Sequence, residues 1–408
     1  MRTFTRSQEL LKRARAVVPG GMPAHQNPAM LVRDQSPCFI ERAQGCRFWD
    51  VDGNEYIDYM CAYGPMILGY KHPAVEEAAR GQAALGDCFN LPGPIWVDLA
   101  ERMVDLIAAA DWVTFGKNGS DACNHAVRVA RAFTHRGKIL MAAAAYHGIG
   151  SWCTPNPAGI TGEERVQVLT FPYNDADFLQ ALLDEHRGEV AAVVVTPFRH
   201  EFGHDQEMPT PAFIEALKAG CSLEGPLLVV DDVRAGFRLH MRGSAEYIGL
   251  KPHLSCFSKA MANGYPISAC VGVKELKDAA ASVFFTGSFF SGGVALAAAL
   301  ATLNEMERTK ALDKTFHAGQ MLKDGIQAQA KAMGLGICYS GPVTIPFMTF
   351  KDDPDFAKAK TFCAAAYQEG VFFHPYHNWF VSAAHTDADI EETLTVTEKA
   401  FRKVKEST

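Results

Sequence analysis

The sequence contains no long hydrophobic run and no excess of positive charge. No window of about 18 consecutive apolar residues occurs, so we expect no membrane-spanning helix. The formal net charge of -7 argues against a nucleic-acid or membrane surface, because both would favour a basic patch. Residues 1–6 lack the apolar core of a secretory signal, and we therefore expect a cytoplasmic protein.

Several common functional signatures are also missing. The eleven cysteines are scattered without a Cys-x-x-Cys pair, which favours reduced thiols in a cytosolic enzyme over a disulfide framework. The chain has no Gly-x-Gly-x-x-Gly motif, no Walker loop and no Gly-x-Ser-x-Gly elbow. The usual nucleotide-binding and serine-hydrolase interpretations therefore lack support.

Short apolar runs alternate with helical patterns through the middle of the chain, which predicts a mostly parallel sheet flanked by helices. The predicted strands are 112–115, 138–144, 166–169, 190–195, 227–230, 254–257 and 269–271. An antiparallel meander is predicted near residues 39–59. We therefore predict an α/β fold, with a large domain at 61–305 and a small α+β domain built from residues 1–60 and 306–408.

An acid and an amine follow two of these predicted strands. Asp231 comes directly after the run 227–230, and Lys259 follows the run 254–257. Open α/β sheets bind ligands at the carboxyl ends of their strands. The pair suits pyridoxal phosphate, which needs a lysine to hold it as a Schiff base and a carboxylate to keep its pyridine nitrogen protonated. The alternative is a lysine on a solvated turn and an aspartate that opens a loop.

Other residues at predicted strand ends suit the same ligand. Gly119 and Ser120 stand between a strand and a helix, where backbone amides and a hydroxyl can bind a phosphate. An ordinary helix cap is the alternative there. Tyr146 could stack on a flat ring, although an aromatic at such a position is more often part of the core. Ser288, and less so Thr286, lie in a polar turn from which a hydroxyl could also reach a phosphate.

The pentad His-Glu-Phe-Gly-His at residues 200–204 has the spelling of zinc proteases. That chemistry needs both histidines on one face of a helix, with the glutamate as base. The pentad lies between Pro197 and Pro209 and includes a glycine, so a loop is the favoured interpretation. A zinc hydrolase that uses His200 and His204 is a distant alternative, and we predict no metal site.

Taken together, these motifs resemble the class III aminotransferases of the fold type I pyridoxal phosphate enzymes, and within them the glutamate-1-semialdehyde aminomutase branch. The likeness covers nearly the whole chain. The matching segments are 52–58, 68–73, 118–122 (Asn-Gly-Ser-Asp-Ala), 146–148 (Tyr-His-Gly), 231–238 (Asp-Asp-Val-Arg-Ala-Gly-Phe-Arg), 258–266 (Ser-Lys-Ala-Met-Ala-Asn-Gly-Tyr-Pro) and 382–390. The resemblance implies a fold type I architecture and a transaminase that depends on pyridoxal 5'-phosphate.

The resemblance also implies a role for each matching residue. Lys259 would hold the cofactor and shuttle the proton, and Asp231 would pair with the pyridine nitrogen. Tyr146 would stack in front of the ring, and Val233 would pack behind it. The other cofactor contacts implied by the matching motifs are Gly119, Ser120 and His147.

A residue from a second subunit is implied as well. Family members usually complete the phosphate site with a serine or threonine of the neighbouring chain, and Ser288 is the candidate here. The resemblance therefore implies a homodimer whose active sites lie at the interface.

Two departures from the family pattern concern the substrate. Thr196 and Pro197 replace the family's Glu-Pro, so a usual ring-contacting carboxylate is missing. The aminomutase has a substrate-binding arginine after a Pro-Gly-Gly near the amino terminus, but residues 22–27 contain none. Burying a substrate carboxylate without a bidentate partner is costly. We therefore predict ping-pong amino transfer through Lys259, from an amine or amino acid donor to a keto or aldehyde acceptor.

The predicted substrate contacts are His25, His200, Glu201 and Trp379, a polar set that suits a hydroxylated or amine-bearing small molecule. Two further interpretations use the same fold. A glutamate-1-semialdehyde-type 2,1-aminomutase would use the same groups but need no second substrate. A non-catalytic binding protein would bind ligands without any half-reaction.

Overall fold

The computed structural model describes residues 2–23 and 26–407. Its strands are β1 (Ile40–Gln44), β2 (Arg47–Asp50), β3 (Glu55–Asp58), β4 (Trp112–Gly116), β5 (Lys138–Ala142), β6 (Val168–Phe171), β7 (Val190–Val195), β8 (Leu227–Asp231), β9 (Leu254–Phe257), β10 (Ser268–Gly272), β11 (Ile337–Ser340), β12 (Phe347–Phe350) and β13 (Val371–Phe372). Its helices are α1 (Thr5–Val17), α2 (Pro73–Leu85), α3 (Pro94–Leu106), α4 (Gly119–Thr134), α5 (Gly162–Arg165), α6 (Ala176–Glu185), α7 (Pro211–Gly220), α8 (Ser244–Ile248), α9 (Lys277–Ser282), α10 (Gly293–Arg308), α11 (Ala311–Ala332), α12 (Ala357–Glu369) and α13 (Asp387–Ser407). Within the described ranges, no helix combines the length and the apolar character needed to cross a membrane.

The chain divides into two compact units. The large unit comprises Pro73–Glu201 and Glu207–Leu312, and the small unit comprises Met1–His72, Phe202–Gln206 and Asp313–Thr408. The boundaries predicted from the sequence differ from this division at three places. The structure assigns residues 61–72 and the short segment at 202–206 to the small unit, whereas it assigns residues 306–312 to the large unit.

The large unit is built on a seven-stranded sheet with the strand order β4-β10-β9-β8-β7-β5-β6. Strand β10 runs antiparallel to both of its neighbours, and the other pairs are parallel. Every residue of β7 and β8 is buried, as expected for strands that are covered on both faces. The α/β fold with a mostly parallel seven-stranded sheet, predicted from the sequence, is confirmed.

Three consecutive strands bring the predicted acid and amine to one edge of this sheet. β7 pairs in parallel with β8, and β8 pairs in parallel with β9, with Asp231 opposite Cys256. Parallel neighbours end at the same edge, so the residues that follow β7, β8 and β9 emerge side by side. This arrangement places Asp231 and Lys259 at adjacent strand ends.

Helix α4 begins at the same edge, directly after β4. Asn118 caps it and accepts the backbone N–H of Asp121, while the Asp121 carboxylate accepts the N–H groups of Lys117 and Asn118, each at 2.9 Å. This reciprocal capping sets the position of the helix start. The amides of the first helical turn have no partner within a helix, so those of Gly119 and Ser120 can serve a ligand.

The small unit contains a four-stranded sheet in the order β1-β2-β3-β13 and the antiparallel pair β11-β12. β1, β2 and β3 form the predicted antiparallel meander, and β13 joins β3 in parallel. Trp379 belongs to the core of this unit. Its ring centroid lies 4.1 Å from that of Phe373, and its indole N–H donates to the carbonyl of His374 at 3.0 Å.

Candidate active site

A cavity of about 310 Å³ opens in the large unit at the carboxyl edge of the sheet. Its walls come from the segments that follow β4, β5, β7, β8 and β9. The lining residues are Asn118, Gly119, Ser120, Tyr146, His147, Gly148, Ile149, His200, Asp231, Val233, Arg234 and Lys259. The cavity thus brings together most of the residues that the sequence singled out.

Lys259 has a backbone conformation that is unusual for a lysine. Its φ angle of 46° falls in the left-handed region, where side chains with a Cβ are strained. Burial, together with the positive charge of Arg234, lowers the pKa of Lys259 to about 7, and the charge of Asp231 acts in the opposite direction. A lysine with this pKa is largely neutral at mildly alkaline pH, which is the form that attacks a carbonyl.

Asp231 is a buried carboxylate whose two oxygens are both engaged. One oxygen lies 2.7 Å from Nδ1 of His147, and the other accepts the backbone N–H of Val233 at 3.1 Å. The ring of His147 stacks on that of Trp152, with 5.8 Å between centroids and 10° between planes. The carboxylate is therefore held in one orientation, in a wall of the cavity, where it can pair with a protonated ring nitrogen.

The start of α4 forms another part of the wall. A methyl group on Gly119 would lie 2.7 Å from Cγ1 of Val233, so the close approach of the helix start to Val233 requires glycine. The hydroxyl of Ser120 accepts the backbone N–H of Ile149 at 3.1 Å, which ties the loop after β5 to the helix. Amides and a hydroxyl at a helix start are suited to a phosphate group.

Tyr146 has 42% of its surface exposed, so its aromatic ring is not part of the core. It lines the cavity, as Val233 does. The cavity therefore offers aromatic and apolar surfaces together with an amine, a fixed carboxylate and a helix start. The glycine contact at Gly119 and the buried His147–Asp231 pair show that these groups fit pyridoxal phosphate.

The predicted substrate residues are placed differently from one another. His200 lines the cavity, where burial and the charge of Arg234 hold its pKa well below the usual range and keep the ring neutral. Glu201 is mostly buried and pairs with Arg199 at 2.7 Å. Trp379 packs in the core of the small unit, where its ring contacts Phe373 and its indole N–H donates to the carbonyl of His374. His25 lies outside the described residues.

Ser288 is exposed and does not line the cavity of its own chain. It lies in the turn between α9 and α10, close in sequence to two highly exposed aromatic residues, Phe284 and Phe289. The contact predicted for it in the partner's site stays a prediction.

The pentad at residues 200–204 forms a turn and not a helix. Arg199 and Glu207 form an isolated antiparallel bridge across it, and Gly203 has a φ angle of 75°. The helical histidine pair that zinc chemistry needs is therefore not formed. Within residues 2–23 and 26–407, no group of three or more His, Cys, Asp or Glu side chains is arranged to hold a metal ion.

Arg234 is a cavity residue that sequence reasoning missed. It occupies a position of the segment 231–238 for which the family pattern specifies no residue type, so only its place one residue after Val233 pointed to the site. Burial lowers the pKa of Arg234 to about 10, and the charge of Asp231 opposes this effect. The guanidinium therefore remains charged at neutral pH.

Comparisons with known proteins agree with this geometry. The family model described as aminotransferase class-III matches residues 30–401. The chain is 46% identical over 404 residues to an aminopentol aminotransferase of Sphingopyxis macrogoltabida, covering 99% of this chain and 96% of that protein. It is 34% identical to a 3-aminobutyryl-CoA aminotransferase of Cloacimonas acidaminovorans, covering 98% of each chain.

A solved structure has the same fold over almost the whole chain. The FumI protein of Sphingopyxis sp. MTA144, solved in its pyridoxal phosphate internal aldimine form, superposes with a TM-score of 0.96 at 46% identity, covering 98% of this chain and 96% of that one. The matched family, the relatives and the cavity lead to one conclusion. The chain belongs to the class III aminotransferases, fold type I enzymes that use pyridoxal phosphate to move amino groups between small molecules.

Proposed function

We propose that this aminotransferase takes its amino group from a hydroxylated amine, and that Lys259 and Asp231 carry out the central chemistry. The observation that supports these roles is their convergence. The two residues lie at the carboxyl ends of neighbouring parallel strands and line one cavity, Lys259 with a lowered pKa and Asp231 in a fixed orientation. No other lysine lines this cavity among the described residues.

Pyridoxal phosphate, when bound, supplies an aldehyde that takes up the amino group and a ring that withdraws electrons from the substrate carbon. Lys259 would hold the cofactor covalently, and its amine, when free, would move the proton at the substrate carbon. Asp231 would keep the ring nitrogen protonated, and His147 holds the Asp231 carboxylate in place. Tyr146 and Val233 confine the ring, and Gly119 and Ser120 bind the phosphate.

The proposed donor class rests on two observations. A relative with 46% identity over nearly the whole chain is named for aminopentol, an amine that by its name carries hydroxyl groups. In this chain the neutral His200 lines the cavity near Lys259, whose charge contributes to the lowered pKa of that histidine. A neutral imidazole can both donate and accept a hydrogen bond, which suits a hydroxyl group.

The dimer predicted from the family resemblance is part of the same proposal. Ser288 is exposed, and Phe284 and Phe289 beside it are 79% and 60% exposed. Aromatic side chains this exposed are typical of a surface that another chain covers. In the proposed dimer, Ser288 of the partner subunit completes the phosphate site.

Substitution of Lys259 tests the central role. The Lys259→Ala enzyme should lose the visible absorption band of the bound cofactor and all turnover, whereas Lys277→Ala, at an exposed lysine, should keep both. Full activity in the Lys259→Ala enzyme would remove this residue from the mechanism.

A pair of donors tests the substrate class. With 3-amino-2-butanol and its deoxy analogue 2-aminobutane, we expect the hydroxylated amine to bleach the visible band at lower concentration, and His200→Phe to abolish the difference. Equal responses in the wild-type enzyme would contradict the donor assignment. Conversion of glutamate-1-semialdehyde without any acceptor would instead identify an aminomutase, and stoichiometric zinc in a colourless protein would identify the hydrolase.

A further inference from the structure

His147 is held in place by one hydrogen bond and one ring contact. Its Nδ1 atom lies 2.7 Å from Asp231, whereas its Nε2 atom is buried and meets no hydrogen-bond partner in the described part of the chain. A single hydrogen bond fixes the distance between the ring and the carboxylate but leaves the tilt of the ring plane free. The ring of Trp152, 5.8 Å away between centroids and inclined by only 10°, supplies the second restraint.

Trp152 is itself anchored to helix α4. Its indole N–H donates to Oδ1 of Asn124 at 2.7 Å, and only 9% of the Trp152 surface is exposed. A Cβ atom on Gly150 would lie 2.5 Å from the same Asn124 oxygen and 2.9 Å from the indole nitrogen, so the packing of the loop around this hydrogen bond requires glycine. An indole has only this one N–H to donate, so the contact with Asn124 sets the direction in which the ring of Trp152 points.

Asn124 and Ser120 lie one helical turn apart on the same face of α4. Both bind the loop that follows β5, because the Ser120 hydroxyl accepts a backbone N–H of that loop and Asn124 accepts the indole N–H of Trp152. The start of α4 is also the proposed phosphate site. One helix therefore connects the part of the cavity assigned to the phosphate with the loop that places His147 on Asp231.

We propose that Trp152 and Asn124 are positioning residues for the reaction, and that they act on the ring nitrogen of the cofactor through His147 and Asp231. Asn124 orients the indole, the indole restrains the imidazole, and the imidazole holds the carboxylate. This inference rests on the proposed function, since it requires Asp231 to pair with the ring nitrogen. It extends the site beyond the residues that line the cavity, because neither Trp152 nor Asn124 is among them.

The consequence is specific to one end of the cofactor. If the imidazole tilts, the Asp231 carboxylate is free to turn, and the ring nitrogen holds its proton less firmly. The ring then withdraws fewer electrons from the substrate carbon, so kcat falls while the KM for the donor stays close to its normal value. A tryptophan with a purely structural role would change stability without this selective loss.

Two substitutions remove the anchor and leave an aromatic ring beside His147. Trp152→Phe deletes the indole N–H, and Asn124→Leu deletes its acceptor. With 3-amino-2-butanol as donor, each should lower kcat about 3- to 10-fold, the range for one uncharged hydrogen bond, and change KM less than about twofold. Trp49→Phe in β2 and Asn304→Leu, at an exposed position of α10, are the matched controls.

A second measurement needs no substrate, so it decides the matter whichever amine the enzyme accepts. In both variants the visible band of the loaded enzyme should titrate at a higher pH, by about half a pH unit to one, because the ring nitrogen carries less positive charge. Should Asn124→Leu fail to fold, the titration of Trp152→Phe decides alone. A band that titrates as in the wild type would overturn the role of both residues.

Double substitutions show whether the four residues act in series. Trp152→Phe should add nothing to the effect of Asn124→Leu, and Asn124→Leu should add nothing to that of His147→Ala. Effects on kcat that multiply instead would show that Trp152 and Asn124 do not act through His147, and the inference would fail while the aminotransferase stayed intact. A wild-type enzyme whose visible band no amine bleaches would instead overturn the proposed function.

Discussion

His147 places its Nδ1 atom 2.7 Å from Oδ2 of Asp231, although 84 residues separate the two in the chain. The contact joins the segment after β5 to the end of β8, two strands that β7 separates in the sheet. Both side chains are buried, so a hydrogen bond between them has no competition from water. Under the proposed function, His147 therefore acts on the cofactor through Asp231, as a positioning residue.

Removal of this contact should slow catalysis without releasing the cofactor. We expect His147→Ala to lower kcat about 10- to 100-fold, because a hydrogen bond to a charged group contributes on the order of 1.5–3 kcal/mol. Asp231→Asn should be slower still, since it removes the charge itself. His317→Ala, at an exposed histidine, should have no effect. The positioning role predicts a changed pH dependence of the visible band as well, and a band identical to that of the wild type would argue for a purely structural histidine.

The lowered pKa of Lys259 predicts how the cofactor-free enzyme takes up pyridoxal phosphate. Only the neutral amine attacks the aldehyde, so the rate of reconstitution should rise as the pH increases through about 7 and level off above it. Stopped-flow measurement of the visible band across pH 5.5–9.5 gives the midpoint. In Arg234→Gln the midpoint should move upward, because a nearby positive charge has been removed. A wild-type rate that kept rising up to pH 9.5 would contradict the lowered pKa.

The close contact at the start of α4 predicts the effect of a single methyl group. Gly119→Ala should weaken cofactor binding at least tenfold, because the new Cβ would lie 2.7 Å from Val233 and the helix start must move. Gly162 provides a matched control. It also begins a helix, α5, but a Cβ there meets nothing within 4 Å, so Gly162→Ala should bind the cofactor normally. Equal cofactor Kd values in the two variants would show that the helix start adapts.

Asp232 predicts a pH-dependent stability. It is buried, its carboxylate accepts the N–H of Ser244 at 2.7 Å, and burial raises its pKa to about 7. The folded protein therefore binds more protons here than the unfolded chain between about pH 4 and 7, and the contribution to stability falls as pH rises through that range. Asp232→Asn should leave Tm nearly unchanged at pH 4.5 and raise Tm at pH 8. The gain at pH 8 should correspond to an increase in the free energy of unfolding on the order of a few kcal/mol. Asp278→Asn, at an exposed position, is the control; a Tm gain for Asp232→Asn that does not depend on pH would contradict the titration.

The parts of the fold that rest on local patterns were predictable. β7 and β8 appear in the sequence as continuous apolar runs, because both faces of a central parallel strand are buried. Lys259 and Asp231 could be placed together because they follow consecutive strands of such a sheet. The motif at 118–122 likewise marked the start of α4, where the capping residues are adjacent in the chain.

Other features depended on contacts between distant segments. The position of β10 between β4 and β9, antiparallel to both, cannot be derived from the apolar run that forms it. The sequence around Trp379 contains no local pattern that distinguishes a substrate contact from a core position. The structure shows core packing for this residue, through its contacts with Phe373 and His374.

The sequence by itself determined the strands, the family and the chemistry, because burial and turn formation leave local patterns of residue type. Only the tertiary structure decided that His147 holds Asp231 and that Arg234 brings a positive charge to the cavity of Lys259. These relationships depend on strand order and on the path of each loop. Both are set by packing between residues far apart in the chain, for which a single sequence contains no periodic signal.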